Sequence, residues 1–71
     1  MLYTYEREGK QAGVEVCAAI TGSGFELRRR DADGREIVET FQSVEELNRR
    51  RLKVEADLLG DGWSLAGTMR R

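Results

Sequence analysis

The sequence predicts an α+β domain, in which a four-stranded antiparallel β-meander is followed by one C-terminal α-helix packed on one face of the sheet. Three observations lead to this prediction. Residues 14–21 alternate larger apolar side chains with smaller or polar ones, the period-two pattern of a half-buried strand. Residues 31–34 have the composition of a hairpin turn between two further strand-like runs. Ser43 and Glu46 form a capping box ahead of good helix formers.

The four predicted strands cover residues 2–7, 14–21, 25–30 and 35–41. The connections between them are short, and short connections favour antiparallel neighbours. The helix is predicted over residues 43–59, with Gly60 as its left-handed stop. Beyond the helix, we expect Trp63 to fold back over the edge of the core and residues 67–71 to be frayed.

The length of 71 residues predicts a single small domain, residues 1–71, with one thin core. A chain of this size buries only about 60% of the surface that its unfolded form exposes. Small domains therefore often need further stabilisation, and a partner subunit is one source of it. The predicted core consists of Val14, Val16, Ala18, Ile20, Phe25, Leu27, Ile37, Phe41, Leu47, Val54, Leu58 and Trp63.

The composition argues against catalysis by this chain alone. It contains no histidine and a single cysteine, Cys17, in the second predicted strand. The residues for a Ser-His-Asp or Cys-His nucleophile, a zinc site or an internal disulfide are therefore missing. We expect no catalytic, metal or cofactor site, and the sequence gives no sign of a small-molecule substrate.

The charge and hydropathy pattern bears on partners and location. Twelve basic and thirteen acidic residues leave a net charge of -1, which argues against bulk attraction to nucleic acid. No apolar run approaches the roughly 20 residues that cross a bilayer, and no signal peptide is recognisable. With a free thiol, these features favour a reducing, cytoplasmic compartment.

The helix has two apolar stripes rather than one. Leu52 and Leu59 form the second stripe, separated from the first by Arg51 and Glu55. A helix on a single sheet needs only one stripe, so the second predicts self-association, as a homodimer, through these four residues or an exposed sheet edge. Alternatively, the Arg51 and Glu55 side chains extend outward at the edge of one broad interface.

A basic strand supports a second hypothesis, nucleic-acid binding. Arg28 and Arg30 share one face of the third strand, and Arg35 follows the turn. Tyr3 and Tyr5 could lie on the same outer face, where aromatic rings would stack bases while arginines bind phosphates. Cross-strand pairing of the arginines with glutamates is the alternative.

Residues 25–63 resemble the WGR domains, small β-then-α modules of DNA-repair ADP-ribosyl transferases and short bacterial proteins. The resemblance rests on the order of strand, RRRDADG turn, strand ending VETF, SVEEL helix start and GDGW. The matching residues are Phe41, Ser43, Glu45, Glu46, Gly62 and Trp63. The resemblance implies DNA binding, with an arginine among residues 28–30 taking part. The Trp-Gly-Arg tripeptide itself is absent, and Arg29, Arg30 and Asp31 stand about where it would fall.

Overall fold

The computed structural model describes residues 1–19 and 22–70, which form one antiparallel sheet and one helix. The elements are β1 (Leu2–Arg7), β2 (Lys10–Ala18), β3 (Phe25–Arg30), β4 (Glu36–Phe41), α1 (Val44–Gly60) and β5 (Ser64–Met69). The strand order is β4-β3-β2-β1-β5, so the chain crosses from one edge of the sheet to the other through α1. The α+β class and the antiparallel sheet with one helix are confirmed, and the sheet has one strand more than predicted.

The fifth strand corrects the prediction for the tail. Residues 67–71 were expected to be frayed, but residues 67–69 belong to β5, which pairs antiparallel with β1 from Leu2 opposite Met69 to Glu6 opposite Ser64. Arg71 lies outside the described residues. The register shifts between Thr4 and Tyr5, which marks a β-bulge. All six residues of β5 are exposed, so the strand is held by its backbone pairing with β1 rather than by burial of its side chains. Such a strand carries little local signal in the sequence.

The second strand starts earlier than predicted. Residues 8–13 were expected to form a loop, but β1 and β2 are joined by a tight turn at Glu8 and Gly9. Both residues have positive φ, 51° and 79°, as a type I′ hairpin turn requires. Glycine adopts this conformation freely, whereas Glu8 adopts it at some cost. Residues 20 and 21, at the predicted end of the strand, lie outside the described residues.

The helix begins as the capping box predicts and ends differently. The Ser43 hydroxyl accepts a hydrogen bond from the Glu46 N–H at 3.3 Å. Gly60 is helical, and the left-handed residue is instead Gly62, with φ of 91°. The Trp63 N–H then donates to the Leu58 carbonyl at 3.0 Å, which turns the chain back toward the sheet.

The core lies between α1 and one face of the sheet. Its buried members are Tyr5, Ala12, Val14, Leu27, Leu47, Val54 and Trp63, with Tyr3, Val16, Phe25, Phe41 and Leu58 partly buried against them. Most of the predicted core is therefore confirmed, including the return of Trp63. Two predictions are wrong, because Ala18 is exposed and Ile37, on the edge strand β4, is 42% exposed. Ile20 lies outside the described residues.

Candidate interaction surface

Tyr3 and Tyr5, the two tyrosines predicted to contact nucleic acid, lie on the face of the sheet that carries α1. Tyr3 pairs with Val14 and Tyr5 with Ala12, so all four side chains share one face. Arg28 and Arg30 project from the opposite face, because they pair with Glu15 and Gly13. The prediction that the tyrosines share the outer face with these arginines is wrong. Tyr5 is a fully buried core residue, and its ring is removed from any surface where it could stack on a base.

Arg51 and Glu55 bind these tyrosines within the fold. The Arg51 guanidinium lies over the Tyr3 ring, 4.7 Å from its centroid. The Tyr5 hydroxyl donates a hydrogen bond of 2.6 Å to the Glu55 carboxylate, Oε2. Burial of Tyr5 and this hydrogen bond raise the pKa of its phenol above the ordinary value. The two charged residues that separate the helix stripes in the sequence therefore attach the helix to β1.

The orientation of α1 places the second stripe on the exposed side of the helix. Arg50 donates to Glu39 of β4 at 3.2 Å, while its neighbour Arg51 contacts β1. One more step of about 100° in the same sense turns Leu52 past the β1 side of the helix and away from the sheet, where it is exposed. Leu59, seven residues further, returns to nearly the same angle.

These residues define what we call the β5-side surface: Leu52, Leu59, Leu65 and the edge backbone of β5. The three leucines are 54%, 50% and 49% exposed, respectively. Leu65 pairs with Tyr5 and so projects from the face of the sheet that carries α1. Sequence reasoning found the helix half of this surface and missed the strand half. The absence of any charged residue between 64 and 69 was the signal that could have revealed it.

The outer face of the sheet is an ion-paired surface. Arg28 lies 3.1 Å from Glu26 and 3.6 Å from Glu36, and Arg30 lies 3.2 Å from Glu36. The hydrogen bond that Arg28 donates to Glu26 raises the pKa of Arg28. Arg35 is exposed in the turn before β4, where its backbone N–H donates to Asp31. The structure therefore brings Arg28 and Arg30 together with glutamates, and leaves Tyr3 and Tyr5 on the other side.

Comparison with protein-family models, with curated proteins and with solved structures yields no match for this chain. The resemblance to WGR domains therefore stays a prediction. Over residues 1–19 and 22–70, no helix has the length and apolar character to cross a membrane. Within the same residues, no group of three or more cysteine, aspartate or glutamate side chains is placed to hold a metal ion.

Proposed function

We propose that this protein is an interaction module that forms a two-fold symmetric homodimer through the β5-side surface. The observation that carries the proposal is an uncharged edge strand whose six residues are all exposed, on a chain whose helix also carries two exposed leucines. An edge strand presents unpaired N–H and C=O groups, which are a template for another strand. Charged residues and proline usually block such edges, and residues 64–69 contain neither.

Pairing of β5 with β5 of a second copy satisfies two-fold symmetry. In an antiparallel pair of identical strands, each residue i that faces j is matched by j facing i, so one surface serves both partners. If Ser64 faces Met69, Arg70 of one copy comes opposite Trp63 of the other, near Asp61. Arg70 and Asp61 are both exposed in the single chain. The Arg70 end of one strand and the Asp61 end of the other are therefore complementary in charge.

The leucine stripe supplies the apolar part of the same interface. Leu52 and Leu59 are exposed on α1, and a continued sheet would place the α1 helices of both copies on the same face. Complete burial of a leucine side chain contributes about 1.5–3 kcal/mol, and these side chains are about half-exposed in the single chain. Each leucine therefore contributes about 1 kcal/mol, from both copies. A small domain with a thin core gains most from such additional burial.

The test is the mass of the protein in solution, with two matched variants. Leu65→Lys places a charge at the β5 edge, and Ile37→Lys places the same charge at the β4 edge. Both residues project from the helix side of an edge strand and are nearly equally exposed, 49% and 42%. We expect sedimentation to give a dimer for the native chain and for Ile37→Lys, and a monomer for Leu65→Lys.

A native chain that remains monomeric up to about 100 µM, well above the concentration that populates a micromolar complex, would contradict the proposal. Equal dissociation by both variants would show that the interface is not at β5. Nucleic-acid binding stays the alternative function. The structure supports this function less than the sequence does. Arg28 and Arg30 are ion-paired, and Tyr3 and Tyr5 lie on the other face of the sheet.

A further inference from the structure

A groove lies along the flank of α1 that faces away from β5. It runs between the C-terminal half of the helix and strands β2 and β3, and is open to solvent with a volume of about 580 Å³. Its apolar lining includes the buried side chains of Ala12, Val14, Val54 and Trp63. Ligand pockets typically have volumes of about 300–1,000 Å³ and are lined mainly by apolar side chains with a few polar groups. The groove therefore has the size and lining of a small-molecule site.

Four of the five charged residues along the groove have partners within the fold. Arg30 pairs with Glu36 at 3.2 Å, and Asp61 with Arg7 at 3.2 Å. Asp57 lies 3.9 Å from Lys53. The Asp31 carboxylate accepts the backbone N–H groups of residues 33 and 35, both at 3.0 Å.

Arg29 is the exception. It is half-buried on the helix side of β3, level with Val14 and Ile37. Over residues 1–19 and 22–70, no hydrogen bond, ion pair or aromatic contact engages its side chain. An unpaired charge that is partly removed from water is unfavourable unless an anion compensates it. A carboxylate offers two oxygens that match the two N–H groups of a guanidinium.

We propose that the groove binds a small monocarboxylate with an apolar body, such as a medium-chain fatty acid. Its carboxylate pairs with Arg29, and its hydrocarbon part covers the apolar lining. One unmatched cation selects one negative charge. Asp31, Asp57 and Asp61 also line the groove, and their repulsion is stronger for a dianion, such as a dicarboxylate, than for a monocarboxylate.

This proposal is independent of self-association. The groove adjoins the side of α1 that carries Asp57, whereas Leu52 and Leu59 lie on the opposite side. A dimer formed through β5 would leave the groove open in both copies. A monomeric chain would have the same groove, so either proposal can fail without the other.

The experiment is an NMR titration of the ¹⁵N-labelled native chain with octanoate, and in parallel with octanamide, which has nearly the same shape and no charge. We expect octanoate to shift the amides of Ala12, Val14 and Val54 and the indole N–H of Trp63. Octanamide should shift the same signals with at least fivefold weaker affinity, because it lacks the charge-assisted hydrogen bonds. Shifts located elsewhere, or equal affinities of the two probes, would overturn the proposal.

Variants test the role of Arg29 directly. Arg29→Gln should weaken octanoate about tenfold and leave octanamide unchanged. Arg35→Gln is the matched control: it removes the same charge from an exposed arginine outside the groove and should leave the affinity for octanoate within twofold. An unchanged octanoate affinity in Arg29→Gln refutes the proposal. If Arg29→Gln does not fold, Arg29→Lys retains the charge and should bind octanoate more tightly than octanamide; no such preference would also refute it.

Discussion

The two edges of the sheet have the same length and opposite character. β4 and β5 each contain six residues, and each has one neighbour in the sheet. The β4 edge carries Glu36 and Glu39, which pair with arginines of β3 and α1. The β5 edge carries no charge at all. Ion pairs therefore protect the β4 edge, whereas the β5 edge has no charged side chain that would oppose a further strand.

The largest effect is expected from a glycine substitution that distinguishes the two edges. At Gly24, an added Cβ would lie 2.6 Å from the Phe41 carbonyl oxygen at the end of β4, and φ is 86°. At Gly67 in β5, an added Cβ would meet nothing within 4 Å. Gly24→Ala should lower the free energy of unfolding by about 2–3 kcal/mol, and Gly67→Ala by less than about 0.5 kcal/mol. Urea unfolding of both variants measures the difference. Similar losses would show that the two edges are equally close-packed.

A smaller effect is expected from pH, because α1 is attached to β1 and to β4 by different kinds of contact. On the β1 side, α1 is held by the Tyr5 hydroxyl, whose pKa is raised by burial and by Glu55. A raised phenol pKa means that the folded chain retains this proton more tightly than the unfolded chain does. Its contribution to stability is therefore complete below the unfolded pKa of about 10 and decreases above it. On the β4 side, α1 is held by the contact between Arg50 and Glu39 at 3.2 Å.

We expect the native chain to lose about 1 kcal/mol of unfolding free energy between pH 9 and pH 11 through Tyr5. Tyr5→Phe should be less stable than the native chain at pH 9 and should lack this part of the decrease. Tyr3→Phe serves as the control, because the Tyr3 ring contacts Arg51 through its face. Chemical unfolding at a series of pH values provides the measurement. Parallel pH profiles for the native chain and Tyr5→Phe would contradict the assignment.

The smallest effect concerns the outer face between the two edges. Arg28 and Arg30 are engaged by Glu26 and Glu36, whereas Arg35 is exposed. In an NMR titration with single- and double-stranded oligonucleotides near 50 mM salt, we expect weak shifts confined to the turn at residues 31–35. Strong, salt-sensitive shifts at Arg28 and Arg30 would instead favour the nucleic-acid hypothesis over the interaction module.

Local patterns predicted the elements whose signals are local. β1, β3 and β4 lie within one residue of their predicted bounds, and the Ser43 cap marks the helix start. β5 could not be predicted in this way, because its order depends on pairing with β1, far away in the sequence. The faces of β1 were also ambiguous. Alternation defines two faces but not which one is buried, and register with β2 decides it.

In the candidate site, too, local features were predicted and contacts between distant segments were not. Leu52 and Leu59 were predicted from helical periodicity to be outside the core, and both are exposed. Arg51 and Glu55 were grouped with them, but they contact Tyr3 and Tyr5 within the fold. Their partners lie on a strand about 50 residues earlier, which periodicity within the helix cannot reveal.

The pairing of β1 with β5 has a consequence for how the chain reaches its fold. It joins the earliest strand to the latest, so residues more than sixty positions apart, such as Leu2 and Met69, must meet. Contacts between distant segments slow folding, because the intervening chain has to be ordered before they form. During synthesis, one side of β1 stays open until residues 64–69 leave the ribosome. In that interval β1 is the strand most at risk of pairing with the wrong chain.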